Sequence, residues 1–209
     1  MKMATFYFAA ILLSANLSVA DDAPSATLVG VQRIWNDAPH NAFTDLVRFK
    51  NHWYCVFREG KGHVSPDGAL RVLTSVDGEK WESAALVTSD DSDLRDAKIT
   101  VTPDGRLMLA GAEAIEKPTG RHHQSLVWFS SDGRKWSPKR KVGDPENWLW
   151  RITWHKGNAY GFGYGCGAGE RGIRLFKSTD GKSFETLIDK VGVEGTYPNE
   201  TSIVFLPDD

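Results

Sequence analysis

A repeat with a period of about 52 residues is the feature that most limits how this chain can fold. Four short apolar segments end at Phe49, Val101, Trp154 and Phe205, at intervals of 52, 53 and 51 residues. Each interval holds further short segments rich in aromatic residues, and helical periodicity is absent after residue 20. Four strands in a unit of this length are typical of a propeller blade. The sequence therefore predicts an all-β fold, a β-propeller of four-stranded antiparallel blades.

One turn recurs in each unit between the predicted third and fourth strands. Its copies are SVDGEKW at 75–81, SSDGRKW at 130–136 and STDGKSF at 178–184. Asp-Gly between alternating strands is a strong hairpin signal, because the aspartate accepts local N–H bonds and the glycine tolerates positive φ. A calcium loop is disfavoured, because the bidentate glutamate and the alternating ligands are missing. The turns are predicted to be structural.

This turn resembles the Asp box of the sialidase superfamily of β-propellers, and the resemblance covers residues 40–209. The spacing here is one residue shorter than the usual Asp-x-Gly form. The resemblance implies a six-bladed propeller of which about three blades and one further strand are present, so we expect a truncated chain; a compact three-blade fold is the alternative. Within a partial propeller domain at 21–209, the expected blades are 43–90, 95–145 and 149–192, with a fourth starting at 199–209.

The first 20 residues are predicted to be a secretory signal peptide that is cleaved after Ala20. A lysine near the start precedes an apolar run from Phe6 to Leu13, and small residues follow at Ser18 and Ala20. The run is far shorter than the roughly 20 residues that a membrane span requires. The mature protein is therefore expected to be secreted or periplasmic.

Composition and spacing argue against several partners. The net charge is −2, and no basic patch predicts nucleic-acid binding. The mature chain has no predicted membrane span, no cofactor motif and no Cys/His cluster with metal-ligand spacing. Cys55 and Cys166 could pair in an oxidising compartment, although Cys55 lies in an apolar strand and is typical of a small core residue.

Charged residues are concentrated where propellers place catalytic groups, at the start of each first strand and after each second strand. Asp96 and Glu200 each lie five residues before the end of their segments, so we predict that they face the same axis. Carboxylates beside arginines suit glycoside hydrolysis, in which one acid protonates the leaving oxygen and a second carboxylate acts as base or polarises the nucleophile. The candidate site residues are Asp45, Arg58, Asp93, Arg95, Asp96, Trp150, Arg151 and Glu200.

The sialidase resemblance implies roles for some of these residues. Asp93 or Asp96 would be the general acid, and Glu200 would activate a nucleophilic tyrosine. Arg58, in FREG, would be the first of three arginines that bind a substrate carboxylate, although the family's Ile-Pro pair is absent. The tyrosine and the other two arginines are expected from later blades, so we expect the isolated chain to be inactive.

The remaining candidate residues are assigned to substrate binding. Arg95, Arg151, Trp150 and Asp45 are expected to contact a glycan substrate.

A second reading comes from the segments FTD, LRD and NE, which resemble five-bladed furanosidases and arabinanases. There Asp45 would be base or nucleophile, Asp96 a transition-state modulator and Glu200 the acid. Ala97 replaces the usual proline, and Asp boxes are not typical of those enzymes. A third reading is a non-catalytic propeller that binds glycans or proteins, and Arg58 with Glu59 could equally be a structural pair.

Overall fold

The computed structural model describes residues 26–166, 172–192 and 196–207, and these residues contain strands but no helix. Residues 26–32 form neither a strand nor a helix. Within the described residues, twelve strands make three antiparallel sheets, each with its strands in sequence order. The first sheet contains β1 (His40–Phe49), β2 (His52–Gly60), β3 (Ala69–Ser75) and β4 (Glu82–Val87); the second β5 (Asp93–Val101), β6 (Leu107–Lys117), β7 (Gly120–Ser130) and β8 (Arg140–Val142); the third β9 (Asn147–His155), β10 (Asn158–Gly165), β11 (Ile173–Ser178) and β12 (Glu185–Val191).

The predicted fold class is confirmed: the sheets are the four-stranded blades of a β-propeller. The first strand of each later blade packs against the preceding sheet, β5 on β1 to β3 and β9 on β5 to β7. One apolar cluster fills the space between blades one and two and includes Val56, Leu70 and Leu107. A second cluster, with Met108 and Phe176, fills the space between blades two and three. Burial of these side chains is the main term that holds neighbouring blades together.

The Asp-Gly turns use their own side chains to close the hairpin. In blade two, the Ser130 hydroxyl accepts a bond from the Gly133 N–H at 2.8 Å. The Asp132 carboxylate accepts from the N–H groups of Arg134 and Lys135, at 2.9 and 2.8 Å, and these bonds lower the pKa of Asp132. Equivalent bonds form in the other two turns. The serine and aspartate side chains of all three turns thus hydrogen-bond to the backbone of their own turn.

Two of these turns also lie on the second strand of the preceding blade. The Tyr54 hydroxyl on β2 donates to the Asp132 carbonyl at 3.0 Å. Gly133, with φ of 72°, is so close that a Cβ there would lie 2.2 Å from a Tyr54 ring carbon. In blade three, a Cβ at Gly181 would come within 3.4 Å of the Met108 sulfur on β6. The turn is therefore part of the contact between blades.

The structure departs from the sequence prediction at two places. The expected first strand of a fourth blade is not formed: residues 196–207 make no strand pairing, although the Thr153 hydroxyl donates to the Ile203 carbonyl at 3.1 Å. A strand requires a ladder of backbone bonds, and no described strand offers one to this segment. In blade two, the fourth strand does not directly follow the predicted turn at 130–136 but begins at Arg140, because Pro138 has no N–H to donate.

Other sequence expectations lie at the edge of what the structure covers. The predicted signal peptide, residues 1–20, falls outside the described residues and stays a prediction. No helix capable of crossing a bilayer occurs in the part of the chain that the structure describes. Cys55 and Cys166 are both free thiols, the first buried and the second partly buried.

The turn packing predicts a difference between two glycine substitutions. Gly133→Ala should destabilise the protein far more than Gly105→Ala, although both glycines have positive φ, 72° and 74°. Gly105 has open space around it, so its substitution costs only the left-handed backbone, about 1–2 kcal/mol. Overpacking against Tyr54 should add about 1–3 kcal/mol at Gly133. Urea denaturation of both variants measures the difference, and equal losses would contradict the contact.

Candidate active site

A buried ion pair fixes the start of β5, where several candidate residues lie. Arg58 on β2 is 0% exposed, and its Nη2 and Nε donate to Asp93 Oδ1 at 2.7 and 3.2 Å. Its Nη1 donates to the Gly62 carbonyl at 2.7 Å, and Nη2 contacts Ser65 as well. The structure thus pairs two predicted site residues with each other inside the fold. The neighbouring Glu59 pairs instead with Arg71, at 2.6 Å.

Matching bulges shape β1 and β5 at the same level. The pairing slips after Ala42 in β1 and after Arg95 in β5. Phe43 and Asp96 come next, with φ of 62° and 56°. Positive φ is uncommon outside glycine, and such residues often cluster at functional sites. The blade-one residue that corresponds to Asp96 is therefore Phe43, not Asp45.

Glu200 resembles these two residues in backbone conformation. Its φ is 49°, and its side chain is exposed. It is close enough to Asp96 for its negative charge to oppose ionisation there. The equal distances of Asp96 and Glu200 from the ends of their segments thus correspond to a shared backbone conformation and to electrostatic coupling.

Asp96 is the carboxyl of the site whose pKa is shifted most strongly. It is 4% exposed, and its buried Oδ1 has no hydrogen-bond partner among the described residues. Burial raises the pKa of Asp96 to about 6, and Glu200 adds to this, although the charges of Arg95 and Lys98 oppose it. A buried carboxyl with a raised pKa is a candidate proton donor near neutral pH.

Two buried cations lie beside Asp96. The Lys98 ammonium stands 4.5 Å from the centre of the Trp150 ring and donates to the Phe43 carbonyl at 3.3 Å. Burial lowers the pKa of Lys98, and the charges of Asp96 and Asp45 oppose that shift. Arg95 Nη1 lies 3.5 Å from Asp93 Oδ2. These cations compensate for the carboxylates in a site with little access to water.

Asp45 is held by partners from two other blades. Its Oδ1 lies 2.8 Å from Arg151 Nη2, and its Oδ2 accepts from the Ile99 N–H at 3.0 Å. The Leu46 N–H also donates to Oδ1, at 3.0 Å. Asp45 thereby joins β1 to β5 and β9, while the side chain of Arg151 remains 37% exposed.

An aromatic wall borders the charged groups. Trp150 packs edge-on against Phe43 at 6.0 Å, and Trp148 stacks on Tyr164 with ring planes 4° apart. Burial, together with the charges of Asp96 and Glu200, raises the pKa of Tyr164 above its usual range. Trp148, Trp150 and Tyr164 are all buried, so these rings form the apolar backing of the charged groups.

The sequence singled out several of these residues and missed others. Asp96, Arg95, Glu200 and Trp150 are brought together, whereas both oxygens of Asp45 and the guanidinium of Arg58 are engaged by the protein. Asp93 is engaged through Oδ1, and its Oδ2 has no hydrogen bond from a described residue. The catalytic and binding roles assigned to all of them stay predictions. Phe43 and Lys98 were missed, and only the position of Lys98, two residues after Asp96 on the same strand, could have indicated it.

Comparison with known proteins bears on the fold. No family profile matches the sequence, and no curated protein matches it. The structure is similar to an α-L-arabinanase from Penicillium chrysogenum solved with arabinobiose (TM-score 0.60, 14% identity, 76% of this chain and 51% of that one). It is also similar to an α-L-arabinofuranosidase from Fusarium graminearum (TM-score 0.57, 13% identity, 73% and 50%).

A third similar structure is a family GH32 β-fructofuranosidase from Bombyx mori in complex with sucrose (TM-score 0.53, 17% identity, 70% of this chain and 33% of that one). At such identities the likeness shows the fold alone, which is that of glycoside hydrolase propellers. The chain spans a third to a half of the length of these structures.

The buried pair predicts a large loss of stability from one arginine substitution. Arg58→Met should cost about 3–5 kcal/mol, because it leaves the Asp93 carboxylate buried without its partner. Arg134→Met is the control, since Arg134 lies 2.5 Å from Glu82 but both side chains are more than half exposed, so its loss should have little effect on stability. Denaturant unfolding of both variants tests this, and similar small losses would show that the buried pair is not needed for folding.

The raised pKa of Asp96 predicts the sign of a pH dependence. The folded state holds a proton on Asp96 up to about pH 6, and the unfolded state only up to about 3.8. Stability is therefore lost as pH rises from about 4 through 6, and the cost above that range is about 3 kcal/mol. Asp96→Asn should be more stable than the wild type at pH 7.5, and the gap should close near pH 4.

The control is Asp132→Asn, where the lowered pKa of Asp132 gives the opposite sign. That variant should be less stable than the wild type at pH 7.5, with the gap closing as pH falls below about 4. Urea unfolding from about pH 2.5 to 8 covers both ranges and measures both gaps. A gap at Asp96 that is independent of pH would contradict the raised pKa.

Proposed function

We propose that this chain carries part of the active site of a glycoside hydrolase of the furanosidase and arabinanase type, with Asp96 and Glu200 as its reacting carboxylates. The observation that carries the proposal is the buried Asp96, with its raised pKa, next to the charge of Glu200 and beside an aromatic wall. The similarity of fold to arabinanase and furanosidase structures supports it.

The environment of each carboxylate suggests its step in hydrolysis. Asp96 still carries its proton in a substantial fraction of molecules near pH 6, so it is suited to protonate the leaving oxygen. Glu200 is exposed and supplies the second carboxylate, as the base for a water molecule or as the nucleophile. Lys98 and Arg95 then balance the charge that Asp96 gains when it gives up its proton.

This assignment differs from the one implied by the furanosidase resemblance, in which Asp45 is base or nucleophile and Glu200 the acid. Both Asp45 oxygens are engaged, by Arg151 and by backbone N–H groups. Asp45 is better suited to orient Arg151. The guanidinium of Arg151 is partly exposed and can donate its other N–H groups to a sugar hydroxyl.

The substrate proposed for the site is a glycan. Phe43 is partly exposed and packs edge-on against the buried Trp150, so its ring is a surface on which the C–H groups of a sugar can pack. Exposed donors and acceptors at Arg151 and Glu200 match the hydroxyl groups around such a surface. This combination of an apolar wall with a few polar groups is the usual composition of a small-ligand site.

A sialidase-type hydrolase is the second candidate, and the three Asp-box turns favour it. In that case Glu200 activates a tyrosine, and arginines bind the carboxylate of the substrate. The engagement of Arg58 by Asp93 weighs against its part in this role. Arg151 is the more accessible cation.

Substrate choice distinguishes the two candidates. Because this chain is proposed to carry part of the site, the test uses the full-length protein. It should cleave a fluorogenic α-L-arabinofuranoside in preference to a fluorogenic sialoside, and arabino-oligosaccharides should quench tryptophan fluorescence through Trp150. Asp96→Asn and Glu200→Gln should each lower turnover by at least about 100-fold. Glu79→Gln, which changes an exposed carboxylate in a rim turn, is the matched control and should be unchanged.

Preferential cleavage of the sialoside would favour the second candidate. Binding of glycans with no turnover would identify a non-catalytic propeller. The absence of both quenching and turnover, with either class of sugar, would overturn both proposals.

A further inference from the structure

A cluster of three metal-ligating side chains lies outside the carboxylates of the proposed active site. His123 lies on β7, Glu146 just before β9 and Cys166 just after β10. One ligand atom from each lies within 4.8 Å of the others. The residues are more than 19 positions apart in sequence, which is why their spacing did not indicate a site. The fold alone brings them together.

Backbone hydrogen bonds hold the three segments in this arrangement. The Glu146 N–H donates to the His123 carbonyl at 3.0 Å, and the Cys166 N–H donates to the Glu146 carbonyl at 2.9 Å. Glu146 also has a φ of 59°, a conformation that a non-glycine residue keeps only when its surroundings impose it. The cluster is therefore pre-organised by the main chain.

The two oxygens of Glu146 have different surroundings. Oε1 accepts from the His123 N–H at 3.2 Å and lies 2.8 Å from the His122 Nδ1. The other ring nitrogen of His122 lies 2.8 Å from the Thr119 hydroxyl. Oε2 is buried without a hydrogen bond from any described residue and lies 3.6 Å from His123 Nδ1. Oε1 is thus held by His122 and the His123 N–H, while Oε2 lies on the side of the His123 ring.

We propose that His123, Glu146 and Cys166 bind a divalent transition-metal ion, with zinc as the best match. An imidazole, a carboxylate and a thiolate are typical zinc ligands, and the sulfur disfavours calcium and magnesium. Ligand atoms around tetrahedral zinc lie about 3.5 Å apart, so small side-chain rotations would close the site. Three protein ligands leave a fourth position for water or another ligand.

The position of the cluster indicates what a bound ion would do. It would link β7 of blade two to the segments that flank β9 and β10 of blade three. The His123 ring also lies 5.2 Å from the Trp148 ring, which stacks on Tyr164 in the aromatic wall. The ion would hold this part of the wall in place. The His122–Glu146 contact behind it is the kind of outer interaction that orients a metal ligand.

Metal titration of the purified full-length protein, after dialysis against EDTA, tests the proposal. Calorimetry with Zn²⁺ should show one equivalent bound, and Co²⁺ should give a thiolate-to-cobalt charge-transfer band. Cys166→Ser should remove the band and weaken zinc binding at least tenfold. Cys55→Ser is the matched control, because it removes the other thiol and should leave both signals unchanged.

A second measurement does not require any variant to fold. Zn²⁺ should slow the alkylation of Cys166 in the native wild-type protein, as followed by peptide mass spectrometry. The proposal is overturned by the absence of zinc binding, by a cobalt complex without a thiolate band, or by binding that Cys166→Ser leaves unaltered. None of these readouts involves a sugar, so the result is independent of the proposed hydrolase activity.

Discussion

The buried pair of Arg58 and Asp93 is the contact on which the geometry of the candidate site depends. It anchors the first residue of β5, and Asp96 follows only three residues later. Removing two charges from water is costly, and it is offset here by further hydrogen bonds from the guanidinium to the carbonyl of Gly62 and the oxygens of Ser65. A Cβ at Gly68 would lie 1.8 Å from Asp93, so the loop before β3 must carry glycine there.

The site that follows from this anchor is asymmetric. The same bulge occurs in β1 and β5, yet it presents a phenyl ring at Phe43 and a carboxyl at Asp96. One blade therefore supplies an apolar surface and the next an acid. Two buried cations oppose the neutralisation of Asp96, but the loss of hydration outweighs them. This balance is what makes a carboxyl useful for proton transfer close to neutral pH.

The sequence predicted what depends on local chemistry. Alternating segments and Asp-Gly turns are read within a few residues, so three four-stranded sheets could be foreseen. The partner of Arg58 lies in another blade. The position of Asp45 along β1, relative to Asp96 on β5, depends on a bulge that no sequence pattern predicts. The grouping of His123, Glu146 and Cys166 needs the turn into β9 and the end of β10 to meet. Such features arise from long-range packing, which periodicity does not encode.

The packing of the blade-two and blade-three turns on the second strand of the preceding blade bears on how such a chain can arise. A unit carries both halves of the junction: a glycine turn at its own rim, and on its second strand a large side chain such as Tyr54 or Met108 that receives the next turn. A tandem duplication of one unit therefore brings a compatible interface with it. A duplicated blade can therefore pack on its neighbour through the same turn contact. The residues at the strand ends that carry the candidate site are then free to change in sequence.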